Sequence, residues 1–418
     1  MHKRSHFALT GILLLSSLSL PLTPVLWAAE KSVVLNTSVA SPYQVEVNGE
    51  LSGMSVDILQ CVFAAMDKPF EVQLLPWARA VEDLRSQSTD GIFTAMPASE
   101  LDHRASLSYP FALEKWYWYG DGANHKGQRI VGGIRSSNQV TWLENSGDHV
   151  DVLVNSLDQL VKLLQTGRIN TLLADERTMH EQLLELGLPD TAFPKVFSRY
   201  MPLGIYFSNR FLNERPGFLT DFNQHMKNCA PDALALTEHE RGRLNELVRE
   251  QIMPLLADLP ILKTLNEANK VQQGWHEDRI HTLDQRWITE AAKGGGALIE
   301  SVSNQPLSEQ LRRKQLASHG LLGEVFLVSA RGVNAAQSQP TSDYYQADEA
   351  FFDEAFHYPG KVYVGPIQYD VSSHRFQVKV AWAVRDSDGV RGVMAIGLNV
   401  EEALREMDGK HNHEPVLP

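Results

Sequence analysis

Apolar and polar positions alternate along this chain in two different ways. Up to about residue 255, short apolar runs at 32–36, 70–74, 91–96, 130–134, 150–154 and 171–174 are separated by stretches whose apolar residues recur at helical spacing, as in 56–66 and 157–165. The runs read as buried strands and the spacers as helices covering them, the βαβα rhythm of a parallel α/β fold. The rhythm restarts after Trp116-Tyr117-Trp118-Tyr119, returns through residues 202–207, and ends in helices near 218–226 and 234–250. This order predicts two α/β lobes, one inserted between the early and late parts of the other, with a cleft between them.

The first lobe is organised around Leu75-Pro76-Trp77-Ala78-Arg79-Ala80, the apolar run 91–96, and the loop Glu100-Leu101-Asp102-His103-Arg104. Pro76 opens a helix, and the next short strand delivers a loop carrying a lone arginine. Ligands of open α/β sheets sit beyond the carboxyl ends of the strands, where the planar fork of Arg104 suits an anion. A solvated loop arginine is the commoner outcome, and spacing alone does not choose between the two. In the second lobe, Arg135-Ser136-Ser137-Asn138 follows a strand and offers a helix cap with outward N–H groups, and the strand 171–174 ends at Asp175.

From Leu259 onward the pattern changes. Leu262, Leu265, Ile280, Leu283 and Trp287 lie along a long amphipathic helix broken near Gly274, and a second helix covers 307–316. β-type runs follow at 324–328, 361–364, 376–384 and 392–398, the last two joined by the turn Arg385-Asp386-Ser387-Asp388-Gly389. This is an α+β pattern, expected to form a separate core from about residue 258.

Composition narrows the classes. The net charge of −13 argues against a nucleic-acid partner, which needs a basic face. Lys3 and Arg4 precede an apolar run closed by Ala28-Ala29, so residues 1–29 read as a secretory signal peptide, with an uncleaved anchor as the alternative. No later stretch is apolar enough to span a bilayer, and a bacterial periplasm is the expected destination. In an oxidising compartment Cys61 and Cys229 can pair; Cys61 also falls on the helix face of Ile58, Val62 and Ala65, which suits a buried free thiol. No zinc spacing is present, and His411 and His413 sit in the polar tail 408–418. No metal or cofactor is expected.

Several motifs occur in order through residues 30–258: Pro42-Tyr43 after the first strand, the helix start from Gly53 to Leu59, the turn Gly167-Arg168-Ile169-Asn170, and Asp175 at the end of the next strand. In this order and spacing the segment resembles the family 3 solute-binding proteins, bilobed periplasmic proteins of the type II α/β architecture typified by polar amino-acid receptors. The resemblance implies that Arg104 holds a ligand carboxylate, Tyr43 and Trp77 wall its apolar part, Ser136 completes the anion site, and Asp175 takes an ammonium. It also implies hinges near 112–122 and 199–204. The chain departs from the pattern at Leu101, where the family has a threonine three residues before its arginine, and Arg79 is a further cleft candidate, with a solvated helix face as the commoner setting.

The segment Gly332-Val333-Asn334-Ala335-Ala336, then Thr341 to Glu349, with Tyr369-Asp370 and the final hairpin, resembles the Cache (PAS-like) sensor domains over residues 259–407. That resemblance implies a small-ligand pocket on the sheet, with Tyr344, Tyr345 and Asp348 as candidates; the tyrosines as packing residues and Asp348 as a cap are equally compatible. The expected function is capture of a small carboxylate-bearing ligand, an amino acid among the options, by lobe closure for an inner-membrane ABC importer or a membrane receptor. The alternatives are a periplasmic dehydratase-like enzyme using Glu100 or His103 as acid or base, and a protein-docking sensor module.

Overall fold

The structure is a computed structural model describing residues 31–47, 49–121, 129–135, 137–370 and 375–411. The expected signal peptide, Ser136, His413 and the end of the tail lie outside the described residues. The strands of the first lobe are β1 (Val33–Thr37), β2 (Phe70–Leu74), β3 (Gly91–Ala95) and β4 (Ala105–Leu107). Then come β5 (Ala112–Tyr119), β6 (Val131–Ile134), β7 (Val152–Val154), β8 (Thr171–Asp175) and β9 (Lys195–Ser208). They form one path, β2-β1-β3-β9-β5-β8-β6-β7, with β4 added to β9.

Strand β9 explains how a single path makes two lobes. Its C-terminal half pairs with β3 through Gly204–Phe207, while its N-terminal half pairs with β5 from Lys195 to Leu203. β5 and β9 therefore cross together from the first lobe into the second, where the expected hinge segments lie. Apolar periodicity places the helices over the sheets. α1 (Met54–Ala65) buries Val56, Leu59, Val62 and Phe63, and α2 (Trp77–Arg85) buries Ala80 and Leu84. The second lobe carries α3 (Asn138–Asn145), capped by Ser137 Oγ on the Val140 N–H, then α4 (Leu157–Gln165) and α5 (Glu176–Glu185). α6 (Phe218–Cys229) returns to the first lobe, packing Phe218 and Phe222 against Phe63 and Phe207.

On α1 the expected apolar setting of Cys61 does not occur. The buried stripe runs through Leu59, Val62 and Phe63, which turns Cys61 outward toward α6, where its sulfur is bonded to that of Cys229.

After α7 (Glu238–Leu247) and a wider helical turn at Val248–Ile252, the chain forms α8 (Ile261–Val271), α9 (Glu277–Ala292), α10 (Ala297–Ser303) and α11 (Pro306–Ala317). Gly274, at φ +81°, lies in the break expected in the long helix. Five antiparallel strands follow: β10 (Leu322–Ser329), β11 (Asn334–Gln337), β12 (Tyr363–Asp370), β13 (Arg375–Asp386) and β14 (Gly389–Asn399). Their spatial order is β11-β10-β14-β13-β12. α12 (Ala350–His357) covers one face and α13 (Val400–His411) ends the described chain.

The two sheets stay apart, but the expected separate cores do not. One apolar cluster runs from Tyr117 and Tyr200 of the second lobe through Leu244, Leu247, Val248 and Ile252 to Val378, Ile396 and Leu404. The bridge is a short stripe, Leu244 and Leu247 of α7 with Val248 and Ile252 of the turn after it, buried between the two neighbours and flanked by the polar contacts of Glu240 and Arg243.

Candidate functional site

The carboxyl ends of the parallel strands face each other across the lobe junction, and the side chains there form a buried polar centre. On the first lobe, Thr37 at the end of β1 donates to the Phe93 carbonyl at 3.1 Å and accepts from Gln44 Nε2 at 3.0 Å. Thr94 donates to Gln44 Oε1 at 2.8 Å and lies 3.3 Å from Ser55 Oγ. Thr94 has φ +62°, in the left-handed region that a β-branched residue rarely occupies. It is the extra residue where the β3–β9 register shifts, and its hydroxyl bonds hold that conformation at the floor of the cleft.

Tyr43, next to Gln44 of this network, is buried at 3% exposure in the same apolar cluster as Trp116, Leu173 and Met201. Facing it are Glu114 and Asp175. Glu114 lies on β5, with its Oε2 accepting the Trp116 indole N–H at 2.6 Å and Gln139 Nε2 at 3.4 Å. Asp175 caps α5: Oδ1 accepts the Lys115 N–H at 2.8 Å and Oδ2 the Thr178 N–H at 3.2 Å. Burial, reinforced by Asp175, pushes the Glu114 carboxyl up to about 8, against the pull of the Trp116 indole and Arg177. Burial raises Asp175 as well, less far because two backbone N–H groups stabilise its ionised form. Burial and the same two carboxyls hold the Tyr43 phenol well above its ordinary value. At the rim, Arg177 Nη1 lies 3.2 Å from Met54 Sδ, so the lobes touch. A cavity of about 600 Å³ opens on the other side of Asp175, between α5 and residues 232–239, with Leu113, Lys115 and Tyr119 as its floor.

The expected site residues are only partly brought together. Tyr43 and Asp175 meet across the junction. Trp77 begins α2 at the carboxyl end of β2, half-buried against Ala80, Leu84 and Leu101. Arg104 is elsewhere. Its carbonyl accepts from Gln87 Nε2 at 2.7 Å and from the Asn209 N–H at 2.9 Å, beside the start of β3, and its side chain is exposed. Because β3 runs from Gly91 there to Ala95 at the cleft, Arg104 is displaced by about 13 Å, one strand length. The short strand β4, which pairs with Phe207 and Ser208, carries the loop back to that far end. Arg79 is exposed and paired with Asp83 at 2.9 Å. Glu100 is also exposed, paired with Arg85 at 2.8 Å, and His103 lies on the same exposed turn. Sequence reading passed over Glu114, Gln139 and Arg177; the usable signal was an acidic residue inside the apolar strand Ala112-Leu113-Glu114-Lys115-Trp116.

In the C-terminal domain, Tyr344 stacks on Trp287 at 5.2 Å within an apolar cluster, and the N–H groups of Tyr344 and Tyr345 both donate to Asp284 Oδ1. Asp348 is exposed. The sheet face beneath α12 is filled by Phe351 and Phe352, with Phe351 edge-on to Phe326 at 5.7 Å. The three candidates therefore do not converge on an open face of that sheet. Among the described residues, no group of three His, Cys, Asp or Glu is placed to hold a metal ion, and no helix is long and apolar enough to cross a membrane.

The raised Glu114 predicts a specific pH dependence. Between about pH 4.5 and 8 the unfolded chain loses this proton while the folded protein keeps it, so stability falls as pH rises, by at most about 1.4 kcal/mol per unit. Urea midpoints from pH 5 to 8 should fall for the wild type and run flatter for Glu114→Gln. Parallel curves would show that Glu114 is ionised in the folded state.

The sequence matches no protein-family profile, and no characterised protein matches it at a significant level. Among solved structures, it is similar to a histidine kinase sensor domain with similarity to periplasmic binding proteins, at TM-score 0.39 and 15% identity over 48% of this chain and 90% of that one. The arginine-, lysine-, histidine-binding protein ArtJ from Geobacillus stearothermophilus gives 0.38 and 16%, over 53% of this chain and 94% of its own. An ABC uptake transporter substrate-binding protein from Streptococcus pneumoniae with bound histidine gives 0.40 and 14%, over 48% and 87%. At these values the bilobed arrangement rests on the strand pairing above, and the site chemistry on this chain's own side chains.

Proposed function

We propose that residues 31–230 are a capture unit that closes its two lobes around a small ligand, joined to a sensor-like C-terminal domain. The observation that carries the reading is the paired crossover of β5 and β9: two adjacent strands link the lobes, and the carboxyl ends of the parallel strands meet at one polar centre. With Arg104 remote, the cation beside that centre is Arg177 at its rim and the anion is Asp175, with the protonated Glu114 as a hydrogen-bonding neighbour. An amino acid then fits with its ammonium at Asp175, its carboxylate at Arg177, and its side chain against Tyr43 and Trp77.

The C-terminal order β11-β10-β14-β13-β12, one antiparallel sheet with α12 on one face, is compatible with the sensor-like reading. The Cys61–Cys229 bond supports an oxidising, exported setting. An importer or membrane receptor remains the partner in this proposal. The dehydratase alternative is weakened because Glu100 and His103 lie on an exposed turn away from the polar centre.

A thermal-shift screen with the common amino acids, polyamines and dicarboxylates tests the reading. At least one amine-bearing compound should raise the unfolding temperature, and Asp175→Asn should weaken it tenfold or more, since a charge-assisted bond is worth ~1.5–3 kcal/mol. If only dicarboxylates act and Asp175→Asn is silent, the amino-acid reading falls. If nothing in any class acts, the capture reading falls with it.

A further inference from the structure

We infer that the C-terminal domain and the second lobe form one rigid body fastened to the crossover strand β9, so that ligand capture swings the first lobe alone against that body. This rests on the lobe-closure reading and names how the closure is anchored. In the second lobe β9 is the outer strand, and its outward N–H groups need partners. They find them on α13. The Phe197 N–H donates to Asp408 Oδ2 at 2.7 Å and the Tyr200 N–H to Glu401 Oε1 at 2.8 Å. Glu401 and Asp408 are two helical turns apart and share one face, so α13 lies along the strand.

The two N–H groups flank a shift in the β5–β9 register between Phe197 and Arg199, just before the strand passes toward the first lobe. Tyr200, at this point, is gripped from four sides. Its backbone is held by Glu401, its hydroxyl donates to Glu240 Oε1 on α7 at 2.8 Å, its ring meets Phe376 of β13 edge-on at 5.4 Å, and Phe197 packs at 5.0 Å. Arg243 of α7 closes the ring on Asp408 Oδ1 at 2.5 Å. On β9, Asp408, Glu401 and Phe376 of the C-terminal domain meet Phe197 and Tyr200. Lobe 1 meets the same strand through β3 and β4, at Gly204 and beyond. Free bending is thereby confined to the few residues between Tyr200 and Gly204.

The test needs no ligand. Spin labels at Glu71→Cys on the first lobe, Gln165→Cys on the second and Ala317→Cys on the C-terminal domain give three pairwise distance distributions in the full exported chain. The Gln165–Ala317 distribution should be narrow, and both distributions involving Glu71 should be broader and vary together. A Gln165–Ala317 distribution as broad as the others overturns the inference, whatever the fate of the ligand proposal. Hydrogen exchange provides the second arm. Glu401→Ala with Asp408→Ala should speed exchange of residues 195–203 at least tenfold while residues 33–37 stay unchanged, and Glu401→Gln should restore much of the protection at Tyr200. Unchanged exchange in 195–203, or an equal rise at 33–37, counts against the fastening.

Discussion

Removing the Cys61–Cys229 bond by the double substitution Cys61→Ser and Cys229→Ser is expected to cost about 2–5 kcal/mol, read as a lower urea midpoint with an unchanged circular dichroism spectrum. The bond joins positions 168 residues apart, and in the chain-entropy picture a loop of that length corresponds to about 5 kcal/mol. The effect is local in cause and wide in consequence. α1 and α6 come from the two ends of the capture unit, and the bond fastens the returning C-terminal segment to the lobe in which the chain begins. The same loss should appear on adding reductant to the wild type. A double variant as stable as the wild type would mean that the Phe63, Phe207, Phe218 and Phe222 cluster alone holds these helices together.

Glu240→Ala is the second large effect expected, at about 3–5 kcal/mol. Glu240 is 2% exposed and is the common acceptor of three elements. Its Oε2 takes the Lys115 ammonium at 2.5 Å and the Thr237 N–H at 2.7 Å, and its Oε1 takes the Tyr200 hydroxyl. Truncation strands the Lys115 ammonium in a nearly buried position, left with the Ala235 carbonyl at 3.3 Å. An uncompensated buried charge costs more than the intact pair contributes, so Lys115→Met in the Glu240→Leu background should recover most of the loss. A double variant no better than Glu240→Ala would show that the Tyr200 and Thr237 bonds dominate instead.

Wherever a short-range pattern decides structure, sequence and structure agree closely. The runs 70–74 and 157–165 are strand and helix with those bounds, since alternation of burial and helical spacing are local properties. Gly274 breaks the helix where a left-handed residue is needed. Tyr43 and Asp175 entered one candidate site through the family resemblance, and Asp175 also through its place at a strand end, since in a parallel sheet all such ends fall on one side. Arg104 was misplaced because that rule fails when a further strand intervenes: β4 turns the loop back along β9 and carries the arginine to the opposite end of the lobe. Glu114 was passed over because an acidic residue in an apolar strand is meaningful only once it is known what faces it.

The two α/β lobes, the order of their elements and the antiparallel C-terminal sheet were readable in the chain alone, because each follows from periodicity and from where turns can form. Folding was needed to show which cysteine face is outward, that Glu114 and Tyr43 share a buried centre with Asp175, and that the C-terminal region continues the core of the second lobe. Those outcomes depend on contacts between residues tens to hundreds of positions apart, such as Tyr200 with Glu401 and Phe197 with Asp408. An apolar stripe such as Leu244, Leu247, Val248 and Ile252 announces that it will be buried but not between which partners. Packing chooses them, because burying the stripe between two neighbours removes the most apolar surface from water.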